Sequence, residues 1–583
     1  MAFQKTFFTS IFCILYGFCL TSWSQTIDSK KYAIQKSISC NKGAVVSAHP
    51  LASMIGISIL QKGGNAVDAA IATQLALAVV YPVAGNIGGG GFMVAHLKDG
   101  NNISLDFREK APAKASRDMY LDTAGNPQMT LSQDGHLAAG VPGTVAGLFA
   151  SLKYASLPFT TLIQPAIDLA EKGFAITASQ ATSFNRTKKE FIALNTAPVA
   201  FVKETAWQTG DILIQTDLAN TLKRIRDQGQ KGFYEGETAR LIVAEMQSGQ
   251  HLAAKQAGII SLDDLKNYEA KERAVFDFNY KGYRIITMPL PSSGGIILQQ
   301  MMKMIEDKNI AAMLFQSAAS VQLMTEVERR AYADRAAFLG DPDFVKVPIK
   351  TLVSTDYLKA RMMDYEPGKA GSSKTTQAGI IKESEETTHL SVLDNYGNAV
   401  SVTTTLNGGY GSRTVVSGAG FLLNNEMDDF SVKPGVPNMY GAIGNEKNAI
   451  EPGKRMLSSM TPTIVLKDGL PYLVVGTPGG TTIPTSVFQT LVNVLEFNLS
   501  AADAVNKPKF HHQWLPDVVN VERDFPEAVR KQLELMGYTI KATGAWSKTE
   551  LIQIKDAATA HKTIIAVGDK RGDDDARGYT PMP

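Results

Sequence analysis

Cysteine is nearly absent from this chain: three occur in 583 residues, and Cys13 and Cys19 both fall within the first few turns of sequence. Cys40 then stands alone, which excludes an internal disulfide framework. Long apolar runs are missing too. The stretch 7–20 falls short of the roughly 20 residues that a membrane-spanning helix needs. Neither sign of charge dominates, because 58 Lys and Arg against 56 Asp and Glu leave a formal charge of +2. A near-neutral chain without a zinc-finger, RRM-like or basic-helix pattern offers no broad nucleic-acid surface. None of the eight histidines begins a His-Glu-x-x-His motif, and no Gly-x-Ser-x-Gly elbow occurs. The glycine-rich run 85–92 lacks Gly-Lys-Ser/Thr and leads into a strand-like segment, so close backbone approach explains it better than a phosphate loop. His511 and His512 sit side by side on a strand-like segment and point to opposite faces, which favours structural roles over a shared metal.

What is present is ordinary globular composition, 44% apolar and 20% charged, in a chain long enough for several cores or one large domain of interlocked layers. Lys5, the apolar stretch 7–20 and then Thr21-Ser22-Trp23-Ser24 read as a secretory signal over 1–24, cut after Ser24. A secreted protein without disulfides relies on its core, which suits a bacterial periplasm, with release beyond it left open. Hydrophobic period predicts a strand over 44–48 and helices over 51–61 and 66–80, the two helices parted by Gly63-Gly64-Asn65. Helices are expected over 218–228, 238–248, 296–305 and 317–338, and a strand over 284–288. A hairpin over 464–476 delivers Thr477-Pro478-Gly479-Gly480 at its end, and the Asp573-Asp574-Asp575 run reads as solvated.

The most informative stretch is 385–407. Two runs rich in β-branched residues flank Asp394-Asn395-Tyr396-Gly397-Asn398, whose residue types tolerate the positive φ of a hairpin turn. Symmetry about Tyr396 sets Thr388, Leu390 and Val392 opposite Thr404, Val402 and Val400 on one largely apolar face. Thr387, His389 and Ser391 then face Thr405, Thr403 and Ser401 on a polar one. On pattern alone such a Thr-rich face is usually solvated. Chemistry requires more than a hydroxyl: a threonine becomes a nucleophile when its own α-amine serves as base, which demands a cut between Glu386 and Thr387. The polar, turn-prone segment before Thr387 suits such a cut. Arg108, at the end of a strand-like segment, can fork onto a substrate carboxylate or pair with Asp106 or Glu109. The Gly/Pro-rich stretch 433–444 is long enough for a lid and equally reads as a surface loop.

Thr387-Thr388-His389, Thr403-Thr404-Thr405-Leu406-Asn407, residues 424–430, Ser458-Ser459-Met460-Thr461-Pro462-Thr463 and Pro478-Gly479-Gly480 together resemble the γ-glutamyltransferases (γ-glutamyl transpeptidases, glutathione hydrolases), which are N-terminal-nucleophile hydrolases. The resemblance covers essentially all of the chain after the leader. It implies an α+β fold, a four-layer αββα sandwich built jointly by a large fragment 25–386 and a small fragment 387–583, which associate as a heterodimer after self-cleavage of the zymogen at Glu386–Thr387. It implies acyl transfer from glutathione or related γ-glutamyl amides, through a Thr387 ester, to water or to amino acid and peptide amines, with no cofactor or metal. By position, Thr387 is the nucleophile, Thr405 its hydrogen-bond partner, and Gly479 and Gly480 the oxyanion hole. Arg108, Ser458 and Ser459 match the groups that hold the glutamyl carboxylate; Asn407, Glu426 and Asp429 match those on the amine side; Tyr440 matches a lid tyrosine. Glu426 departs from the glutamine of some bacterial relatives. The rival expectations are a glutaryl-type (cephalosporin) acylase of the same superfamily and a catalytically silent periplasmic binding homologue.

Overall fold

The computed structural model describes residues 27–249, 256–376, 387–436, 438–439, 445–559 and 561–580. The expected leader at 1–24, Glu386 of the expected cleavage site and Tyr440 of the expected lid lie outside the described residues.

Two seven-stranded sheets face each other. One runs in the order Asp575–Tyr579, Gly43–Ser47, Thr388–Leu393, Ala399–Thr405, Gly90–His96, Asn102–Asp106, Lys271–Arg273. The other runs Ser37–Cys40, Thr563–Val567, Glu550–Lys555, Leu470–Gly476, Thr463–Lys467, Tyr283–Thr287, Phe276–Tyr280. Every pairing within them is antiparallel. Strand alternation separates the cores. Val45, Leu390, Val392, Val400 and Val402 turn to one side, where helices Pro50–Gln61 and Ala66–Val80 cover them. Ala44, Val46, Phe92 and Val94 turn to the other, into a core shared with the second sheet and with helices Gly294–Ile305, Ala318–Phe338 and Thr482–Leu495. The layers are therefore helix, sheet, sheet, helix, the αββα sandwich expected.

Local chemistry starts and stops these elements. Gly63 at φ 92° ends the first helix, and the Asn65 side chain accepts from Val67 N and Asp68 N to open the second. That second helix is buried on all sides. In the hairpin turn, the Asp394 carboxylate accepts from Tyr396 N and Asn398 N, and its other oxygen accepts from Ala66 N. One aspartate thus closes the hairpin and secures the start of the helix beside it.

The hairpin pairs with the expected register: Thr388 with Thr404, Leu390 with Val402, Val392 with Val400. Its polar face is not solvated. His389, Ser391, Ser401 and Thr403 are fully buried between the sheets. They are satisfied there, with His389 Nδ1 2.9 Å from Thr403 Oγ1 and Nε2 3.1 Å from Ser391 Oγ. Ser401 Oγ accepts from Thr463 N at 3.1 Å and donates to Val475 O at 3.2 Å, while Ser391 Oγ donates to Glu550 O at 3.3 Å, so the hydroxyls bind one sheet to the other. Burial lowers the His389 pKa to about 3, so the ring is neutral. It fits because Gly476 on the facing strand has no Cβ; one there would overlap the imidazole.

The acidic run near the C-terminus also departs from the solvated reading. Asp574 and Asp575 are fully buried because the chain enters the edge of the first sheet there, pairing with Gly43–Ser47. Asp575 accepts from Gln35 N and pairs with Arg577; burial lifts the Asp574 pKa to about 6. His511 and His512 are buried as well, hydrogen-bonded to Thr485 and Gln513 and to Asp517 respectively. Cys40 is a buried free thiol. Among the described residues no helix is long and apolar enough to cross a membrane.

Gly476→Ala should force His389 or the strand to shift, lowering the unfolding free energy by about 1–3 kcal/mol. Denaturant unfolding of the purified variant measures it, and an unchanged midpoint would mean that the two sheets are not closely apposed at this point.

Candidate active site

Thr387 lies one residue before strand Thr388–Leu393, at the open end of the hairpin and next to Thr405 on the partner strand. Its hydroxyl accepts a hydrogen bond from Gly479 N at 3.0 Å. The tertiary structure thus joins the two ends that the sequence delivers by separate hairpins. Gly479 and Gly480 have φ of 138° and 50°, conformations that L side chains rarely adopt, so the turn needs glycine. Thr482 pins the turn from behind, with its N and Oγ1 both donating to Gly479 O. The helix Thr482–Leu495 starts immediately afterwards, which puts the positive end of its dipole next to the glycine turn. Thr405 lines the same cavity, and its hydroxyl accepts from Asn407 N at 2.7 Å. Asn407 holds a left-handed φ of 72°, which asparagine tolerates, and donates from Nδ2 to Asn425 O.

The glycine run at 88–91 makes close approach possible, as its composition suggested. A Cβ on Gly89 would collide with the Thr405 carbonyl. Strand Gly90–His96 therefore lies tightly against Ala399–Thr405 and carries the adjoining strand Asn102–Asp106 with it. Arg108 follows directly. Its guanidinium is 1% exposed and pairs with Glu426 and Asp429, with Glu109 at 3.5 Å. The Arg108 backbone N donates to Asp106, but that carboxylate is not the guanidinium's partner. Glu426 and Asp429 come from one short turn, Glu426–Asp429, which presents both to the arginine. Asn438 Nδ2 donates to the second oxygen of Asp429 at 3.1 Å.

Three carboxyl groups crowd one buried guanidinium, more than it could neutralise were all ionised, and Arg335 adds a second positive charge acting on Asp429. Burial raises the pKa of Glu426 well above the usual carboxylate range against the pull of Arg108, and raises Glu109 to about 7 for the same reason. Burial opposes the charge on Arg108, yet Glu426, Asp429 and Glu109 outweigh it and hold the guanidinium protonated. Glu109 Oε1 and Glu426 Oε2 are both buried beside the guanidinium. Such a cluster is arranged to receive a proton or a ligand cation.

Ser458 and Ser459 line the same cavity. The Ser458 hydroxyl accepts from Met460 N at 3.2 Å, and the Ser459 hydroxyl accepts from Arg335 Nη2 at 3.0 Å. Arg108, Thr387, Thr405, Asn407, Glu426, Asp429, Ser458, Ser459 and Gly480 thus line one cavity, with Gly479 at its edge through Thr387. Sequence reasoning did not assign Arg335, Met460, Thr481 or Ile483 to the site, and these complete the lining. The helical period of 317–338 marks a helix but does not mark which arginine reaches a pocket. No local signal separates Arg335 from Arg329 and Arg330 on the same helix.

A family model described as Gamma-glutamyltranspeptidase matches residues 52–579. A glutathione hydrolase proenzyme of Escherichia coli (strain K12) is 44% identical over 522 residues, 89% of this chain and 89% of that protein. An acylase ACY 1 proenzyme of Pseudomonas sp. (strain SE83) is 35% identical over 516 residues, covering 87% of this chain and 88% of the acylase. Among solved structures, a Helicobacter pylori gamma-glutamyltranspeptidase superposes with a TM-score of 0.55 at 42% identity, over 61% of this chain and 97% of that one. The cephalosporin acylase from Bacillus halodurans superposes over 96% of this chain and 100% of its own with a TM-score of 0.81, and at 24% identity this likeness concerns the fold.

The raised carboxyl pKa values have a direct consequence for stability. A carboxyl whose folded pKa exceeds its unfolded value contributes stability that is present below the unfolded value and is lost as pH rises through the folded one. Glu426→Gln removes one such group, so its melting temperature minus that of the parent should become more positive from about pH 5 to about pH 8. Thermal denaturation across that range measures it; a difference that is flat or falls would show that folding does not raise the Glu426 pKa.

Proposed function

The chain belongs to the gamma-glutamyltranspeptidase family, and we propose that Thr387 is the nucleophile with which it transfers the γ-glutamyl group of glutathione and related amides to water or to an amino acid or peptide amine. The observation that carries this reading is the 3.0 Å bond from Gly479 N to Thr387 Oγ1, in a cavity also lined by Arg108, Glu426, Asp429, Ser458 and Ser459.

Maturation comes first. Thr387 Oγ1 attacks the Glu386 carbonyl carbon, the C–N bond to Thr387 breaks, and the acyl group moves from nitrogen to oxygen. Water then cleaves this ester, returning the hydroxyl and leaving a free α-amine beside it. The resulting fragments, 25–386 and 387–583, cannot drift apart easily. Strands Gly43–Ser47 and Gly90–His96 flank the hairpin from the small fragment on both sides, so separation would break the centre of the sheet.

In the mature site the amine takes the proton from Thr387 Oγ1 as it attacks the γ-carbonyl of the donor, and then delivers it to the departing amine nitrogen. Gly479 N and Gly480 N receive the negative charge on the carbonyl oxygen; both need the backbone conformations that glycine supplies. Water or an incoming amine repeats the attack on the Thr387 ester and releases the hydroxyl. The glutamyl head is a zwitterion. Its carboxylate is met by Arg108 and by the serine hydroxyls 458 and 459, and its ammonium by Glu426, Asp429 and Asn407. Entry of that ammonium gives the buried acids a cationic partner as Arg108 turns to the ligand carboxylate, and by the resemblance Tyr440 belongs to a lid. The leader at 1–24 directs the protein to the periplasm.

The acylase reading shares the nucleophile but takes an acyl group without an α-amine. The ligand carboxylate would then compete with Glu426 and Asp429 for Arg108 without bringing a cation to replace it, which is costly for the buried acids. The silent-homologue reading requires damage to the machinery, whereas Thr387, Thr405, Gly479 and Gly480 are all retained.

Thr387→Ala should yield a single uncut chain without activity, while the parent's smaller fragment should begin Thr-Thr-His-Leu-Ser on N-terminal sequencing. A variant that still splits at the same bond would refute self-processing by this hydroxyl. Comparison of γ-glutamyl and glutaryl anilides should show a preference of at least roughly a hundredfold in kcat/KM for the former; equal rates would favour the acylase reading.

A further inference from the structure

Arg335 is unassigned in the chemistry above, yet it lines the cavity and is only 5% exposed. It projects from the last turn of helix Ala318–Phe338 and makes two bonds to serines. Nη2 donates to Ser459 Oγ at 3.0 Å, and Nε donates to Ser293 Oγ at 2.9 Å. Ser293 in turn donates from both its backbone N and its hydroxyl to Ser458 O, each at 2.7 Å. One side chain therefore holds Ser459 directly and Ser458 through a single intermediary.

The consequence follows from what a guanidinium can do. It has five N–H donors and no acceptor, so a hydroxyl bonded to it must accept, and its own proton turns away from the arginine. For Ser459 the open direction is the cavity that both residues line. Ser458 is biased in the same sense, because its hydroxyl already accepts from Met460 N at 3.2 Å. A pair of serines held this way offers two O–H donors to an anion, and it offers little to an amide N–H or an ammonium, which must find acceptors.

We propose that Arg335 is a positioning residue for specificity: it sets Ser459 as a hydrogen-bond donor and anchors the Ser458 backbone through Ser293, so that the site selects donors with a free α-carboxylate. This rests on the reading of Ser458 and Ser459 as the carboxylate side. Arg335 acts through the serines, and Arg108 remains the group in charge contact with the ligand. A fork is required, because the two serine oxygens are reached by different guanidinium nitrogens. Lysine preserves the charge but cannot span both.

The test uses the mature enzyme with two donors, a γ-glutamyl anilide and the same anilide with its α-carboxylate converted to the primary amide. Selectivity is the ratio of their kcat/KM values, measured for the parent, Ser459→Ala, Arg335→Gln, Arg335→Lys and the double variant Arg335→Gln/Ser459→Ala. Loss of one charge-assisted bond corresponds to roughly a tenfold change. Arg335→Gln should raise KM for the carboxylate donor by about that factor with a smaller change in kcat, leave the amide donor nearly unaffected, and so reduce selectivity. Ser459→Ala in the Arg335→Gln background should cost little more, since the hydroxyl is no longer oriented. Arg335→Lys, which keeps charge and a donor for packing, should show an intermediate loss and decides the matter if the glutamine variant fails to mature into two fragments. Equal losses on both donors, or full multiplication of the two single effects, would overturn the proposal. If Ser459→Ala itself leaves selectivity unchanged, the assignment of the serines to the carboxylate falls and the proposal with it; if Ser459→Ala reduces selectivity while both arginine variants retain it, only the role of Arg335 falls.

Discussion

The backbone register between Thr388–Leu393 and Ala399–Thr405 is the constraint on which the site depends. Side chains in a strand alternate, so a slip of one residue would turn the valines into the intersheet space and His389, Ser391, Ser401 and Thr403 onto the helices. The register is held from three directions. Asp394 closes the turn, apolar side chains pack under the helices, and serine hydroxyls bond to the facing sheet. With both strands fixed, Thr387 emerges at one end in line with Thr405, and the loop after Leu470–Gly476 brings Gly479 to its hydroxyl.

The second organising feature is charge held out of water. Arg108 is almost wholly buried and meets carboxylates contributed by a turn some 318 residues later in the chain. Breaking one member of such a cluster leaves the others uncompensated, which makes the cluster a poor source of net stability and a good device for selecting a ligand. A zwitterion that brings one positive and one negative group can exchange with the internal pairs without leaving charge stranded. The serine wall with Arg335 behind it adds direction to that selection, because hydrogen bonds specify where the anion lies as well as its sign.

Much of this was legible in the chain. The hairpin and its facing pairs followed from β-branched alternation about a turn, the helices at 51–61 and 66–80 from apolar period and the Gly63-Gly64-Asn65 break, and the glycine run from the absence of any phosphate-loop partner. Its purpose, close approach to strand Ala399–Thr405, is visible at Gly89. Other features misled or stayed silent. A threonine- and serine-rich strand face looks the same whether water or a second sheet covers it, and here the sheet does. Asp574 and Asp575 resemble a solvated acidic run until the strand that contains Asp575 is seen to join a sheet edge. Arg335 sits among Arg329, Arg330 and several acids on one helix, and nothing local tells which of them reaches the cavity.

By itself the sequence determined what depends on neighbours along the chain: strand and helix periods, turn chemistry, the hairpin register, and the residue types set at Thr387 and at the glycine pair. These are short-range matters of φ, ψ and side-chain alternation, and they survive translation into structure almost unchanged. Tertiary structure alone decided which buried charges meet, that a polar strand face lies between two sheets, and that one arginine orients the serine wall. Electrostatic and hydrogen-bond partners are chosen by distance in space, and the fold brings together residues hundreds of positions apart that no local pattern connects.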